Sequence, residues 1–246
     1  MGRKEPGLLF PLFAALLVAA VAAPVLSVLF SVAPASVVDA FRSEDVRDAV
    51  RISLVASLSA TVLATVLGVP AGYALAHASA RVRTAALFVL ALPLAFPPVA
   101  SGIMLLSLFG NTPVPDSLLG VIAAEFFVSG AFVAIASMAA FAALDPIYAD
   151  AARTLGAGEW RIFRRIALPA ASTNIAAGIA FAWLRAIGEY GATSIVAYHP
   201  TSLPIALYVT LSASGVRAAL ALCYGFVVLA AIVIGAQWFL RRRVVS

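Results

Sequence analysis

The strongest constraint on this chain is a series of long apolar runs that contain no charged residue. Such runs extend from 6 to 38, from 52 to 76 and from 84 to 115. A helix needs about 20 apolar residues to cross the hydrocarbon core of a bilayer, and each run is long enough. Charged residues make up 11% of the chain, against roughly 25% in soluble domains. The sequence therefore predicts an all-α, polytopic membrane protein and excludes a water-soluble fold.

Hydropathy places about six spans along the chain. We predict them at 8–30, 52–76, 85–109, 118–141, 171–197 and 218–240. The first run follows Arg3 and Lys4 and so also fits a signal peptide, but it is longer than the roughly 7–15 apolar residues of a signal core, which favours a retained helix. Pro93, Pro97 and Pro98 must kink or break the third span, because proline removes backbone donors.

Basic residues are unevenly distributed between the two ends of these spans. With the N-terminus inside, the inner side holds Arg3, Lys4, Arg81, Arg83, Arg153, Arg161, Arg164, Arg165, Arg241, Arg242 and Arg243, and the outer side holds Arg42, Arg47, Arg51 and Arg217. This asymmetry predicts that both termini are cytoplasmic in a cell membrane, and it accounts for the positive net charge without a nucleic-acid partner. We divide the chain into an N-terminal part with the tail, the first span and an outer segment (1–47), a transmembrane domain (48–240) and a cytoplasmic basic tail (241–246).

The connection between spans four and five, residues 142–170, has the pattern of two short amphipathic helices; we refer to it as the coupling loop. Asp145 and Pro146 form a helix start, and Gly156 stands where a left-handed cap would end that helix. A second helix follows, with Glu159 in its first turn and Trp160 and Phe163 on its apolar side. Such a pair either rests at the lipid interface or docks into a groove of a soluble partner.

The coupling loop resembles the EAA loop of ABC importer permeases. The match consists of Asp150-Ala151-Ala152, Gly156, Ile166 and Leu168-Pro169 at the family spacing, with Asp150 in place of Glu as the one departure. The resemblance implies that the loop inserts into a cleft of a dimeric cytoplasmic ATPase and transmits its closure to the membrane helices. The residues expected to dock are Asp150, Ala151, Ala152, Leu155, Gly156, Ile166, Leu168 and Pro169.

The chain lacks the sequence features of a motor or of an enzyme. A phosphate loop needs a lysine in the pattern GxxxxGK[ST], and the only lysine is Lys4 in the N-terminal tail. ATP and Mg are therefore expected on a separate ATPase subunit, and no cofactor is expected on this chain. The lone Cys223, with His77 and His199 assigned to loops on opposite sides of the membrane, gives no basis for a metal site.

Few polar residues are expected inside the membrane, where a charge costs on the order of 2.5–3.5 kcal/mol. Arg185 and Glu189 lie four residues apart in the predicted fifth span. They either neutralise each other structurally or, with Ser101 and Thr193, line a translocation path or gate. Glu125 is expected nearer the outer interface, solvated or in a helix N-terminal role.

The stretch from Trp183 to Pro204 resembles the fifth span of molybdate/tungstate permeases. The resemblance implies import of a tetrahedral oxyanion delivered by an extracytoplasmic binding protein, through a path between two copies of the permease. Sulfate/thiosulfate permeases share much of this pattern and remain an alternative. An ion-coupled secondary transporter is the alternative of another class, but it would carry paired broken helices, and only one proline-rich break is apparent.

Overall fold

The structure, a computed structural model, describes the backbone of residues 9–245 and the side chains of residues 9–235. Arg3 and Lys4 lie outside the described residues, as do Ser246 and the side chains of the predicted basic tail. All regular elements of the described part are helical, which confirms the predicted all-α class.

The helices follow one another with short connections. In chain order they are α1 (Leu9–Ser31), α2 (Pro34–Arg42), α3 (Glu44–His77), α4 (Ala80–Ala95), α5 (Pro98–Phe109), α6 (Leu118–Ala142), α7 (Ile147–Thr154), α8 (Glu159–Ile162), α9 (Leu168–Ile187), α10 (Thr193–Val196), α11 (Leu203–Ser214) and α12 (Val216–Val245). A π-helical turn, Phe163–Ala167, joins α8 to α9, so that residues 159–187 form one continuous rod.

Five of these rods are long and apolar enough to cross a membrane, and a bent pair, α4 with α5, makes a sixth. The helix axis bends by 109° between the two halves of that pair. Pro93 lies inside α4, and Pro98 begins α5. The predicted break of the third span is confirmed, because the prolines leave the helix without the donors that would continue it.

The predicted fifth span, 171–197, was too long at its outer end. Helix α9 ends at Ile187, and the chain then turns through Gly188 into the single turn α10. Two more predictions need correction: His77 is the last residue of α3 rather than a loop residue, and α2 and α11 are additional helices that hydropathy did not indicate. Both of these helices are too short to span a bilayer.

The core is built by α3, α6 and α9. Helices α3 and α6 run parallel along a stripe of small residues, and Gly72 sits so close to α6 that an added Cβ would lie 2.6 Å from the Cβ of Ser137 and 2.7 Å from the backbone N of Met138. Helix α9 packs against both, and its Trp183 donates a hydrogen bond to the hydroxyl of Ser57 (2.9 Å). Small side chains let helix backbones approach closely in membranes, where lipid gives no hydrophobic drive to associate.

Candidate functional site: the coupling loop and the outer polar cluster

The first half of the coupling loop is the short helix α7. The Asp145 carboxylate accepts a hydrogen bond from the N–H of Ile147 (3.0 Å). Gly156 has a φ of 77°, which strains an L side chain but not glycine. The N–H of Ala157 reaches back to the carbonyl of Ala152 (3.0 Å). These bonds satisfy backbone groups that a helix leaves open at its ends. The glycine cap is confirmed, whereas α7 begins one residue later than predicted, with Pro146 rather than Asp145 at the N-cap position.

The second half of the coupling loop is anchored by aromatic side chains. Phe163 is buried and lies 5.0 Å from the ring of Tyr73 on α3 and 6.0 Å from that of Phe141 on α6. Trp160 contacts Phe163 from outside, at 5.3 Å between ring centres, and remains exposed. The predicted second helix therefore does not stop at Leu168 but continues through the π-helical turn into the membrane core.

The outer surface of the coupling loop is both apolar and exposed. Leu155 is 88% exposed and Tyr148 67% exposed, and Ile147 and Trp160 are exposed as well. A cluster of large apolar side chains on a polar loop is typical of a surface that a partner covers. Among the residues expected to dock, Asp150, Ala151, Leu155, Gly156 and Pro169 are exposed, and Ala152, Ile166 and Leu168 are partly buried.

An ion network that was not predicted from the sequence joins the two halves of the coupling loop. Arg153 donates to the carboxylate of Asp150 (Nη1 to Oδ1, 2.7 Å) and to that of Glu159 (Nε to Oε1, 2.7 Å). Arg153 lowers the pKa of Glu159, so this carboxylate stays anionic at neutral pH. The three-residue spacing of Asp150 and Arg153 indicated their ion pair, since such pairs meet on a helix. The contact of Arg153 with Glu159 depends on the turn at Gly156 and has no such signal.

The C-terminal end of α9 carries the second group of candidate residues. Glu189 is 1% exposed, and its carboxylate forms an ion pair with Arg185 and accepts the N–H of Ala192 (2.7 Å). The predicted Arg185–Glu189 pairing is therefore present, although Glu189 lies beyond the end of the helix. The Arg185 side chain is 34% exposed, so the pair has one sealed partner and one accessible partner.

Ser101 and Thr193 lie inside the protein rather than on an open surface. Both are fully buried, and neither hydroxyl has a hydrogen-bond partner within the described part of the chain. The first turn of α5 packs tightly on the segment after α9: an added Cβ on Gly191 would lie 2.5 Å from Cβ of Pro98, and one on Gly102 would lie 2.7 Å from Cβ of Ile195. A translocation role for Ser101 and Thr193 stays a prediction.

The expectation for Glu125 was wrong. It lies seven residues after the start of α6, outside the first turn, and is 1% exposed rather than solvated. One carboxylate oxygen has no hydrogen-bond partner among the described residues. Hydropathy indicated that Glu125 belongs to a span, but not that its side chain is sealed inside the helix bundle.

Two crevices open at the ends of the core. One, of about 900 Å³, is lined by the start of α3, the 198–201 segment and α11, and includes Asp45, Asp48 and Arg51. The other, of about 630 Å³, lies between the coupling loop and the ends of α3 and α6. Neither crevice is lined by Ser101, Arg185, Glu189 or Thr193.

The chain is similar to known transport proteins over most of its length. The family model described as "Binding-protein-dependent transport system inner membrane component" matches residues 64–244. A probable molybdenum ABC transporter permease protein of Haloferax volcanii is 36% identical over 80% of this chain and 76% of its own length. A molybdate/tungstate transport system permease protein of Thermococcus kodakarensis is 35% identical over 70% of each chain.

Solved structures share the fold. A chain of the MetNI methionine ABC transporter, in inward-facing conformations, has a TM-score of 0.69 at 16% identity, covering 82% of this chain and 99% of that one. A chain of a bacterial alginate ABC transporter, crystallised with an alginate-bound periplasmic protein, also has a TM-score of 0.69, at 17% identity and with coverage of 96% and 95%. At these identities the likeness concerns the arrangement of helices alone.

Proposed function

The chain belongs to the family of binding-protein-dependent transport system inner membrane components, as a multi-pass ABC importer permease, and we propose that its cargo is molybdate or tungstate. The observation that carries the proposal is the 36% identity over 80% of the chain to a molybdenum permease protein. Sulfate permease proteins match less of it, such as one of Synechocystis at 34% over 45% of the chain. Sulfate is therefore the second candidate cargo.

ATP hydrolysis belongs to a separate subunit in this proposal. The exposed apolar surface of the coupling loop, centred on Leu155, docks in a cleft of a dimeric cytoplasmic ATPase that holds ATP and Mg. A buried apolar surface of this kind contributes roughly 25 cal/mol per Å² removed from water. The capped helix α7 and the anchored α8 present a defined surface for the ATPase to bind. Closure of the ATPase then drives the membrane domain between two states.

The translocation path forms between two copies of this chain. Ser101, Glu189 and Thr193 are buried within one chain, so they support the wall of the path rather than face it. Arg185 keeps 34% of its side chain exposed, and it is the cation best placed to meet an anion in transit. A two-fold axis is the commonest way to build such a path from one kind of subunit.

The outer face receives an extracytoplasmic binding protein that delivers the oxyanion. The distribution of Arg and Lys assigns the starts of α3 and α6 to that face, and both termini to the cytoplasm. The crevice of about 900 Å³ opens on this side. The binding protein supplies affinity, so the permease needs no dedicated anion cage of its own.

Uptake into proteoliposomes tests the proposal. The chain is reconstituted with its ATPase and binding protein, and entry of radioactive molybdate is measured with tungstate and sulfate as competitors. We expect ATP-dependent uptake that needs all three components and that tungstate blocks far better than sulfate. Uptake by this chain alone, driven by an ion gradient, would instead support a secondary transporter, and stronger competition by sulfate would move the cargo to sulfate.

A further inference from the structure

Helix α7 is the part of the coupling loop least secured by packing. It buries none of its residues, and its apolar side chains Ile147 and Tyr148 point into solvent. The helix that follows is different, because Ile162 and Phe163 are buried against the core. Apolar packing therefore fixes the second half of the loop to the membrane domain but leaves the first half to be fixed by polar contacts.

One guanidinium group makes those polar contacts. Arg153 binds Asp150 within α7 and, across the Gly156 turn, both oxygens of Glu159 at the start of α8 (Nε to Oε1, 2.7 Å; Nη2 to Oε2, 3.3 Å). The planar fork of arginine suits this two-point contact, whereas a lysine ammonium holds one direction only. Arg153 thereby sets the angle between the two halves of the loop.

The same carboxylate continues the connection into the core. The Tyr73 hydroxyl of α3 donates to Oε2 of Glu159 (3.4 Å), and the Tyr73 ring lies 5.0 Å from Phe163 and 5.2 Å from Phe141, both edge-on. Contacts therefore run from α7 through Arg153 and Glu159 to α3, and through the aromatic rings to α6. Helices α3 and α6 form the centre of the membrane domain.

We propose that Arg153 is a positioning residue for coupling: it holds α7 rigid against α8 and α3, so that movement of the docked ATPase reaches the membrane core. This inference rests on the proposed docking of the loop to an ATPase. The Arg153 and Glu159 side chains are 39% and 63% exposed, and exposed ion pairs contribute little to folding stability. The network therefore maintains the geometry of the loop while the docked ATPase moves, and it contributes little to the folding stability of the protein.

The test measures oxyanion uptake per ATP hydrolysed in the complete transporter, for Arg153→Gln, Glu159→Gln and the double variant. We expect each single change to lower the ratio about fivefold or more, within the range of measured coupling energies. The double variant falls no further, because both changes remove the same contact. Arg153→Lys restores part of the ratio, and Arg164→Gln, at another exposed arginine of the loop, leaves it unchanged.

The outcomes separate this inference from the proposed function. If the wild-type complex shows no ATP-driven uptake, the proposed function fails before the variants are compared. If it transports and Arg153→Gln keeps a normal ratio, or the two single losses add in the double variant, the positioning role is wrong. Loss of ATPase binding in Arg153→Gln but not in Glu159→Gln would also overturn it, since Arg153 would then be a docking contact. Should Arg153→Gln fail to fold, Glu159→Gln still removes the ion pair across the Gly156 turn while leaving the Arg153–Asp150 bond, and it decides the question.

Discussion

The chain contains two arginine–glutamate pairs in opposite surroundings. In the coupling loop, Arg153 and Glu159 meet in water, with both side chains substantially exposed. At the outer end of α9, Glu189 is sealed at 1% exposure and is paired with Arg185. An exposed pair adds little stability but fixes a geometry, whereas breaking a buried pair leaves a charge without compensation. The same two residue types therefore shape a contact surface at one end and hold a membrane core together at the other.

The comparison fails if the Glu189 pair proves as dispensable as a surface pair. Glu189→Ala removes both the partner of Arg185 and the acceptor for the N–H of Ala192. We expect a loss at the lower end of about 3–5 kcal/mol in stability, because Arg185 keeps access to solvent. Glu189→Gln should lose less, because its amide oxygen still accepts that N–H. Denaturant unfolding in detergent measures both. Glu44→Ala, in the exposed pair with Arg47, is the control, and equal effects of Glu44→Ala and Glu189→Ala would refute the distinction.

Two glycines extend the comparison to the backbone. Gly72 is required because there is no space for a side chain, and Gly156 because of its backbone conformation. Gly72→Ala places a Cβ against the backbone of α6 and should destabilise the α3–α6 contact by about 1–3 kcal/mol, as overpacked cores do. Thermal unfolding of the purified permease measures it. Gly235→Ala, where a Cβ meets nothing within 4 Å, should be neutral; a stable Gly72→Ala variant would show that α3 and α6 pack less tightly than described.

Gly156 is required for its φ of 77° rather than for space, since a Cβ there meets nothing within 4 Å. Gly156→Val should introduce about 1–2 kcal/mol of backbone strain. This strain lies in the coupling loop and does not affect the packing of the core. We expect roughly tenfold weaker ATPase binding with normal membrane insertion, measured by co-purification at graded ATPase concentrations. Gly158→Val, at a negative φ of −72° and in open space, should bind normally; equal weakening would implicate bulk rather than backbone geometry.

A single part-buried hydrogen bond should give the smallest effect. Ser57→Ala removes the acceptor for the indole N–H of Trp183 and should reduce stability by about 0.5–1.5 kcal/mol, the net contribution of a typical hydrogen bond. Ser107→Ala, at an exposed position, is the control. Thermal unfolding of both variants checks the expectation, and an unchanged Ser57→Ala would show that this contact adds nothing to the α3–α9 packing.

Much of the architecture followed from sequence because lipid imposes strong rules. Runs without charge predicted the spans, and proline predicted the break between α4 and α5. The caps at Asp145 and Gly156 predicted α7, since both act through their own neighbours. The end of α9 was missed because residues 188–197 carry no charge except Glu189, and hydropathy does not register the turn that begins at Gly188.

The parts that could not be predicted depend on tertiary contacts. The burial of Glu125 follows from which side of α6 packs inside the helix bundle, and hydropathy alone does not indicate that side. The bond from Arg153 to Glu159 spans six residues across a glycine turn, so no helical spacing indicates it. The burial of Ser101 and Thr193, which were expected to line a path or gate, follows from the packing of α5 against residues 191–195, and no spacing in the sequence indicates that contact.

Accessibility of Leu155 tests the central claim most directly, namely that the coupling loop is a cytoplasmic surface covered by an ATPase. Cys223 is the only cysteine, so Cys223→Ala followed by Leu155→Cys gives a single reporter at an 88% exposed position. A membrane-impermeant maleimide is added to inside-out and to right-side-out vesicles, with and without the ATPase. We expect labelling only in inside-out vesicles, and protection once the ATPase binds. Labelling from the outer side, or undiminished labelling in the presence of bound ATPase, would contradict the account.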